Sequence, residues 1–182
     1  MKPSGNVILF LGGARSGKSA LAEKIAASYR SVAYVATAKA IDDEMIERIK
    51  KHRKSRPDSW VTLEVDNRLG EVLDQAFIRA EAVIVDCLTV YIARQMDKIA
   101  SDDEVVDEII GVLKSAKNFG KTIIFVSNEV GMGIVPEYPV GRRYRDLLGI
   151  INQKVAEHAD KVLLTIAGIP VDIKSLGIEL DI

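Results

Sequence analysis

Val7-Ile8-Leu9-Phe10-Leu11-Gly12-Gly13-Ala14-Arg15-Ser16-Gly17-Lys18-Ser19 is the stretch that decides the fold. Its five apolar residues read as a buried strand. Gly12 to Ser19 then match the phosphate-binding loop pattern of Gly, four residues and Gly-Lys-Ser, and Ala20-Leu21-Ala22-Glu23-Lys24-Ile25-Ala26-Ala27 continues as a helix. The glycines let the backbone wrap closely around a phosphate, so that amide N–H groups and the helix N-terminus face its negative charge. Gly12, Gly13, Ala14, Arg15, Ser16, Gly17, Lys18 and Ser19 are therefore the expected triphosphate cradle. Lys18 is expected to reach the β- and γ-phosphates and the Ser19 hydroxyl to ligate Mg²⁺. A Gly-rich turn that binds nothing would need the Lys-Ser pair and both flanking elements to coincide by chance. The loop specifies a nucleoside triphosphate without specifying what becomes of it.

Outward from this loop, further runs rich in β-branched residues read as buried strands: Val32 to Ala36, Ala82 to Leu88, Thr122 to Asn128 and Lys161 to Ala167. Their near-continuous hydrophobicity predicts burial on both faces, as in a parallel sheet. Trp60 to Val65 alternates less cleanly and fits an edge strand. Helical patterns fall between them at Ser19 to Tyr29, Asp42 to Lys54, Asn67 to Arg79, Asp102 to Asn118 and Gly141 to His158. In the fourth, Val105, Val106, Ile109, Ile110, Val112 and Leu113 recur at helical spacing, with Ser101 or Asp102 placed to cap its start and Gly120 its end. The alternation predicts a doubly wound α/β fold. With no repeat, low-complexity tract or linker, residues 1–182 are expected to form a single P-loop nucleotide-binding domain, 175–182 being a short tail.

Composition bounds the partners. A chain of 182 residues is long enough to bury about 70 % of its unfolded surface without a covalent staple. Twenty-five Lys and Arg against 26 Asp and Glu give no reason to expect nucleic acid or an acidic membrane surface. The single cysteine, Cys87, excludes an intramolecular disulfide and a Cys-based zinc cluster, and fits a reducing cytoplasm. The polar start Met-Lys-Pro-Ser-Gly-Asn is too short for a signal peptide, and the longest apolar runs fall short of a membrane span. A cytoplasmic protein without membrane insertion is expected.

In doubly wound sheets ligands gather at the C-terminal ends of the strands. Ala82-Val83-Ile84-Val85-Asp86 ends in a carboxylate, the arrangement by which P-loop enzymes hold Mg²⁺, so Asp86 joins Ser19 as a candidate metal ligand. Cys87 beside it reads as a small buried residue, since nothing marks a thiolate-stabilising neighbour. Asp42, Asp43 and Glu44 open their helix and basic residues close it, which suits the helix dipole. His52 lies among Lys50, Lys51, Arg53, Lys54 and Arg56, where neighbouring positive charge is expected to disfavour its protonation, and it fits either a solvated surface histidine or a nucleophile. His158 reads as a dipole partner at a helix end. Asn128-Glu129-Val130-Gly131-Met132-Gly133-Ile134-Val135-Pro136 is a shaped loop suited to a substrate contact. Arg142, Arg143 and Arg145 fit surface charge or a phosphate site.

Four segments together resemble one family: the P-loop at 12–19; Ala36-Thr37-Ala38; Asp42-Asp43-Glu44-Met45 with His52 and Arg56-Pro57; and the loop at 128–136. It is the bifunctional adenosylcobinamide kinase/adenosylcobinamide-phosphate guanylyltransferase family of cobalamin biosynthesis, and the resemblance runs from about Val7 to Lys174. It implies phosphorylation of adenosylcobinamide by ATP or GTP. Transfer of GMP from GTP to adenosylcobinamide phosphate would follow through a GMP-histidine intermediate, giving adenosyl-GDP-cobinamide and pyrophosphate. His52 takes the histidine's place and Lys18 is the second catalytic residue. The resemblance adds Thr37, Ala38, Arg53, Lys54, Ser55, Arg56 and Glu64 to the nucleotide site. A Glu64 carboxylate would accept N1–H and N2–H of guanine, a pair of donors that adenine lacks. It also implies a RecA-like domain and a homotrimer. Asp86 stands where some relatives carry Glu, and Lys51 where some carry a second histidine. Two other readings of the P-loop are a kinase of another small alcohol without a covalent intermediate and a nucleotide-switched regulatory module.

Overall fold

The computed structural model describes residues 5–39, 43–54, 56–98 and 101–178. In chain order the described elements are β1 (Val7–Leu11), α1 (Lys18–Ala26), β2 (Val32–Ala36), α2 (Asp43–Lys54), β3 (Val61–Glu64), α3 (Leu69–Arg79) and β4 (Ala82–Asp86). They continue with α4 (Leu88–Gln95), α5 (Asp102–Phe119), β5 (Thr122–Val126), α6 (Pro139–His158), β6 (Lys161–Ile166), β7 (Ile169–Asp172) and α7 (Ile173–Leu176). Seven strands form one sheet in the order β3-β2-β4-β5-β1-β6-β7, parallel except for the last pair. The expected mostly parallel sheet flanked by helices is what forms.

Strand alternation explains the two layers. In β1 the odd positions Val7, Leu9 and Leu11 join Ala33, Val35, Val83, Val85, Ile123 and Phe125 on one face. That face is covered by Leu69, Leu73 and Phe77 of α3, Ile109 and Leu113 of α5, and Leu147, Leu148 and Ile151 of α6. Ile8 and Phe10 point the other way, with Tyr34, Ile84 and Ile124, and meet the small residues Ala22 and Ala26 of α1. Both faces of β1 and β5 are buried at every position, so neither strand alternates in sequence. β3 is an edge strand, as its weaker pattern suggests.

Helix ends follow their local chemistry. The Ser101 hydroxyl accepts the Glu104 N–H at 3.3 Å at the start of α5, and Gly120 ends that helix at φ 61°. His158 closes α6, with Nδ1 2.9 Å from the Lys154 carbonyl. Two expectations need correction. The strand expected over Ala82 to Leu88 stops at Asp86, and Leu88 opens α4. Thr89, Val90 and Ile92 look like strand residues, but Leu88, Tyr91, Ile92 and Gln95 are buried at helical spacing and packing outweighs the propensity. The second is β7, which the apolar run of β6 conceals. Ala167 and Gly168, at φ 50° and 81°, make a tight hairpin turn that folds β7 back along β6. Asp42 and Ser55, expected in the second helix and the nucleotide site, lie outside the described residues.

Candidate active site

Because β1 to β6 run in parallel, the P-loop, Thr37, Glu64, Asp86 and Ser127 all emerge along one edge of the sheet. The loop has the backbone that its glycines permit. Gly12 and Gly17 sit at φ 145° and 97°, and Arg15 at 57°. α1 starts without a side-chain cap, which leaves its first amides to an anion. The turn between β6 and β7 braces the loop, Gly168 N–H donating to the Ser16 carbonyl at 2.8 Å. A Cβ on Gly12 would lie 2.3 Å from the Thr165 carbonyl oxygen. Gly12→Ala therefore combines a clash with a strained φ and is expected to cost about 3 kcal/mol. In a thermal melt this reads as a fall of roughly 6–12 °C.

Lys18 lies across its own loop. Nζ donates to the Gly12 carbonyl at 2.9 Å, the Gly13 carbonyl at 2.6 Å and the Ser16 hydroxyl at 3.3 Å. Burial lowers its pKa, opposed by the negative charge of nearby Asp86. Those carbonyls are ordinary neutral partners, so a polyphosphate competing for the ammonium would bind it more strongly.

Asp86 ends β4 with Ala36 and Val126 as its strand neighbours. Its Oδ2 accepts the Tyr34 hydroxyl at 2.9 Å. Burial, reinforced by Asp86, pushes the Tyr34 pKa up, so the hydroxyl stays protonated and able to donate. Thr37 is fully buried. Its Oγ1 donates to the Cys87 carbonyl at 2.8 Å and accepts the Cys87 N–H at 2.7 Å, which pins the turn after Asp86. The Thr37 hydroxyl is thus engaged within the protein, while Ala38 next to it is half-buried. The Cys87 thiol is raised by burial and then by Asp86, in keeping with a packing residue.

Two residues that the sequence did not single out organise this edge. Arg94, on α4, donates through Nη1 to the Thr37 and Val65 carbonyls at 2.5 and 3.0 Å, and through Nη2 to the Asp66 carbonyl at 3.0 Å. It ties the exits of β2 and β3 together. Arg94→Met would leave these carbonyls without their charged donor, at an expected cost of about 2–4 kcal/mol seen as a lowered urea midpoint with unchanged slope. An arginine directly after the largely apolar Leu88-Thr89-Val90-Tyr91-Ile92-Ala93 stretch is the signal that marks it.

Tyr34 is the other. The Arg56 guanidinium stacks 3.6 Å from the centroid of its ring, and Arg56 Nε donates to the His52 carbonyl at 2.9 Å. Arg56 Nη1 is buried with no hydrogen-bond partner among the described residues. A buried donor of this kind is costly until something accepts from it, which favours an acidic ligand here. Arg53, Arg56, Pro57, Asp58, Trp60 and Thr62 line a cleft of about 160 Å³ beside it. His52 is half-buried near the end of α2, Arg53 and Lys54 are exposed, and Glu64 is exposed at the end of β3. Four strand spacings, about 19 Å, separate β3 from β1, so only an elongated ligand could touch both Glu64 and the P-loop.

The shaped loop is anchored at its start. Asn128 N–H donates to Thr89 Oγ1 at 2.8 Å, Asn152 Nδ2 to the Asn128 carbonyl at 3.1 Å, and Glu129 N–H to the Gly12 carbonyl at 3.1 Å. Beyond it Met132 and Ile134 are 83 % and 96 % exposed. Of the arginines on α6, Arg142 donates to the carbonyls of Pro136 and Glu137, and Arg143 pairs with Asp102 at 2.7 Å. Arg145 lies 3.5 Å from Asp146. Two of the three therefore hold structure rather than stand open to a phosphate.

This loop, cradled on a mostly parallel sheet with a carboxylate two strands away, defines a P-loop nucleotide-binding protein. The family model for cobinamide kinase / cobinamide phosphate guanyltransferase matches residues 8–173. The chain belongs to that family, and it is an enzyme of cobalamin biosynthesis with kinase and guanylyltransferase activities. Among its relatives is the bifunctional adenosylcobalamin biosynthesis protein CobP of Pseudomonas aeruginosa, 42 % identical over 168 residues, which cover 91 % of this chain and 96 % of that one. The bifunctional adenosylcobalamin biosynthesis proteins CobU of Escherichia coli and of Salmonella typhimurium are each 36 % identical over 180 residues, covering 92 % of this chain and 99 % of theirs. Family membership sets aside the readings as a kinase of another small alcohol and as a nucleotide switch.

Proposed function

We propose that the chain phosphorylates the aminopropanol hydroxyl of adenosylcobinamide with ATP or GTP, and then moves GMP from GTP to that phosphate through His52. In the first reaction the hydroxyl oxygen attacks the γ-phosphorus, its proton passes to water, and the nucleoside diphosphate departs. In the second, a neutral His52 ring nitrogen attacks the α-phosphorus of GTP, the α–β bridging P–O bond breaks and pyrophosphate leaves. The other ring nitrogen keeps its proton, so that a neutral imidazole is the leaving group of the next displacement. An oxygen of cobinamide phosphate then attacks the bound GMP, the N–P bond breaks and adenosyl-GDP-cobinamide is released. The amides of Gly12 to Ser19 and the Lys18 ammonium hold the polyphosphate and offset the charge of the leaving group. Arg53, Lys54 and Arg56 border the guanylylation site, and Glu64 accepts from the guanine edge.

Ser19 and Asp86 supply hard oxygen donors suited to Mg²⁺, which takes one or two protein oxygens together with substrate phosphates. Asp86 would suit this use, since the Tyr34 hydroxyl takes up one acceptor position on Oδ2 and the carboxylate keeps further lone pairs to offer an ion. When bound, Mg²⁺ neutralises phosphate charge. No helix among the described residues is long and apolar enough to cross a membrane. The family resemblance and the solitary cysteine favour a homotrimer working in the cytoplasm.

The observation that carries this reading is the contact between the His52 segment and the strands of the P-loop edge, made by Arg56 on Tyr34. Turnover with cobinamide and with cobinamide phosphate, each against ATP and GTP, tests it. Phosphorylation of the first by either nucleotide and pyrophosphate release from the second with GTP alone are expected. Pyrophosphate release with ATP as readily as with GTP would defeat the guanine assignment.

A further inference from the structure

We propose that Tyr34 is a positioning residue that serves both ends of the guanylylation site: its hydroxyl orients Asp86 and its ring seats Arg56, which in turn holds the His52 backbone. The inference rests on Asp86 as the metal carboxylate and His52 as the nucleophile. Tyr34 is 5 % exposed on β2 and lies opposite Ile84, so Asp86, two residues further along β4, stands on the same face of the sheet. The 2.9 Å bond from its hydroxyl fixes which carboxylate oxygen is engaged and holds the χ angles of Asp86. On the ring face the planar Arg56 guanidinium lies 3.6 Å from the centroid, while its Nε reaches the His52 carbonyl at 2.9 Å.

The His52 carbonyl sits in the last turn of α2, where helix carbonyls lack intrahelical donors. Arg56 supplies one from a side chain that the Tyr34 ring immobilises. One side chain of the central sheet thereby relates the carboxylate at a β-strand end to the helix end that carries the imidazole. Packing does not require this hydroxyl. Phe would fill the same volume among Ile8, Ile84, Ala22 and Ile124.

The two functions of Tyr34 separate experimentally. Tyr34→Phe keeps the ring and removes the hydroxyl. Binding of Mn²⁺, an Mg²⁺ substitute read by electron paramagnetic resonance, to the GTP complex is expected to weaken about tenfold. Tyr34→Leu removes both. Beyond the same loss of Mn²⁺ affinity, it is expected to slow GMP labelling of the protein about tenfold relative to Tyr34→Phe at saturating GTP and metal. Should Tyr34→Leu not fold, Arg56→Lys keeps the charge but loses the stacked plane and the Nε donor, and the same slowing is expected. Mn²⁺ affinity of Tyr34→Phe equal to wild type, with Asp86→Asn weakened, would overturn the role of the hydroxyl while sparing Asp86. Unchanged affinity in Asp86→Asn would instead overturn the metal assignment beneath it. Equal labelling rates in Tyr34→Phe and Tyr34→Leu, or a wild-type rate in Arg56→Lys, would overturn the seating of Arg56.

Discussion

Lys18→Ala is expected to lower kcat/KM for both the kinase and the guanylyl transfer about a thousandfold or more, since one ammonium serves the triphosphate in either reaction. That corresponds to roughly 4 kcal/mol of lost transition-state stabilisation. The same change should leave the free protein nearly as stable as before. Lys18 gives up three hydrogen bonds to its own loop, but a desolvated charge disappears with them. A protein that melts normally and is no longer stabilised by GTP is the signature. The pH dependence carries a second readout. Burial depresses the Lys18 pKa below its ordinary 10.5, so between the two values the unfolded chain binds more protons and the stability of the free protein rises with pH. Lys18→Ala should lose that component of the slope. Activity within tenfold of wild type would show that the triphosphate does not sit on this loop.

His52→Ala is expected to abolish transfer of label from α-labelled GTP to the protein, with the rate of GDP-cobinamide formation down about 10⁴-fold or more. The kinase step should persist within about threefold, because the hydroxyl attacks the γ-phosphorus directly and no covalent intermediate is needed. The wild-type adduct should be acid-labile and base-stable, as an N–P bond requires. Stability gives a control. His52 is half-buried near a helix end, so its truncation should shift the melting midpoint by no more than a few degrees. Label retained in His52→Ala would place the nucleophile elsewhere. Loss of both reactions together would mean that the residue supports the shared triphosphate site instead of forming an intermediate.

Much of the scaffold was legible because its signals are local. The Val7–Leu11 strand, the Gly12 to Ser19 loop and α1 occur in sequence as they do in space, and the caps Ser101 and Gly120 lie within one turn of the helix they bound. Asp86 could be placed at a strand's C-terminal end because a buried run that ends in an acid states its own polarity. Helix α4 was hidden because its β-branched residues imitate a strand, and only burial at four-residue spacing tells them apart. β7 was hidden because pairing is a property of two segments, while each segment alone is a short apolar run.

The candidate site divides in the same way. Its triphosphate half is one contiguous motif, whereas its guanylylation half joins β2, the end of α2 and β4 through Tyr34, Arg56 and Asp86, residues up to 52 positions apart. Nothing in the spacing of Tyr34 announces a partner on β4, and Arg56, among Lys50, Lys51, Arg53 and Lys54 near His52, looks like solvated charge until its stacking partner is seen. By itself the sequence determined the phosphate loop, the α/β alternation and the kinship, because backbone-permissive glycines, strand and helix periodicity and contiguous motifs are written in consecutive residues. Tertiary structure alone decided which carboxylate oxygen is engaged, what Arg56 rests on and how Arg94 ties two strand exits. Those contacts depend on strand order and register, which bring together side chains that the chain itself keeps far apart.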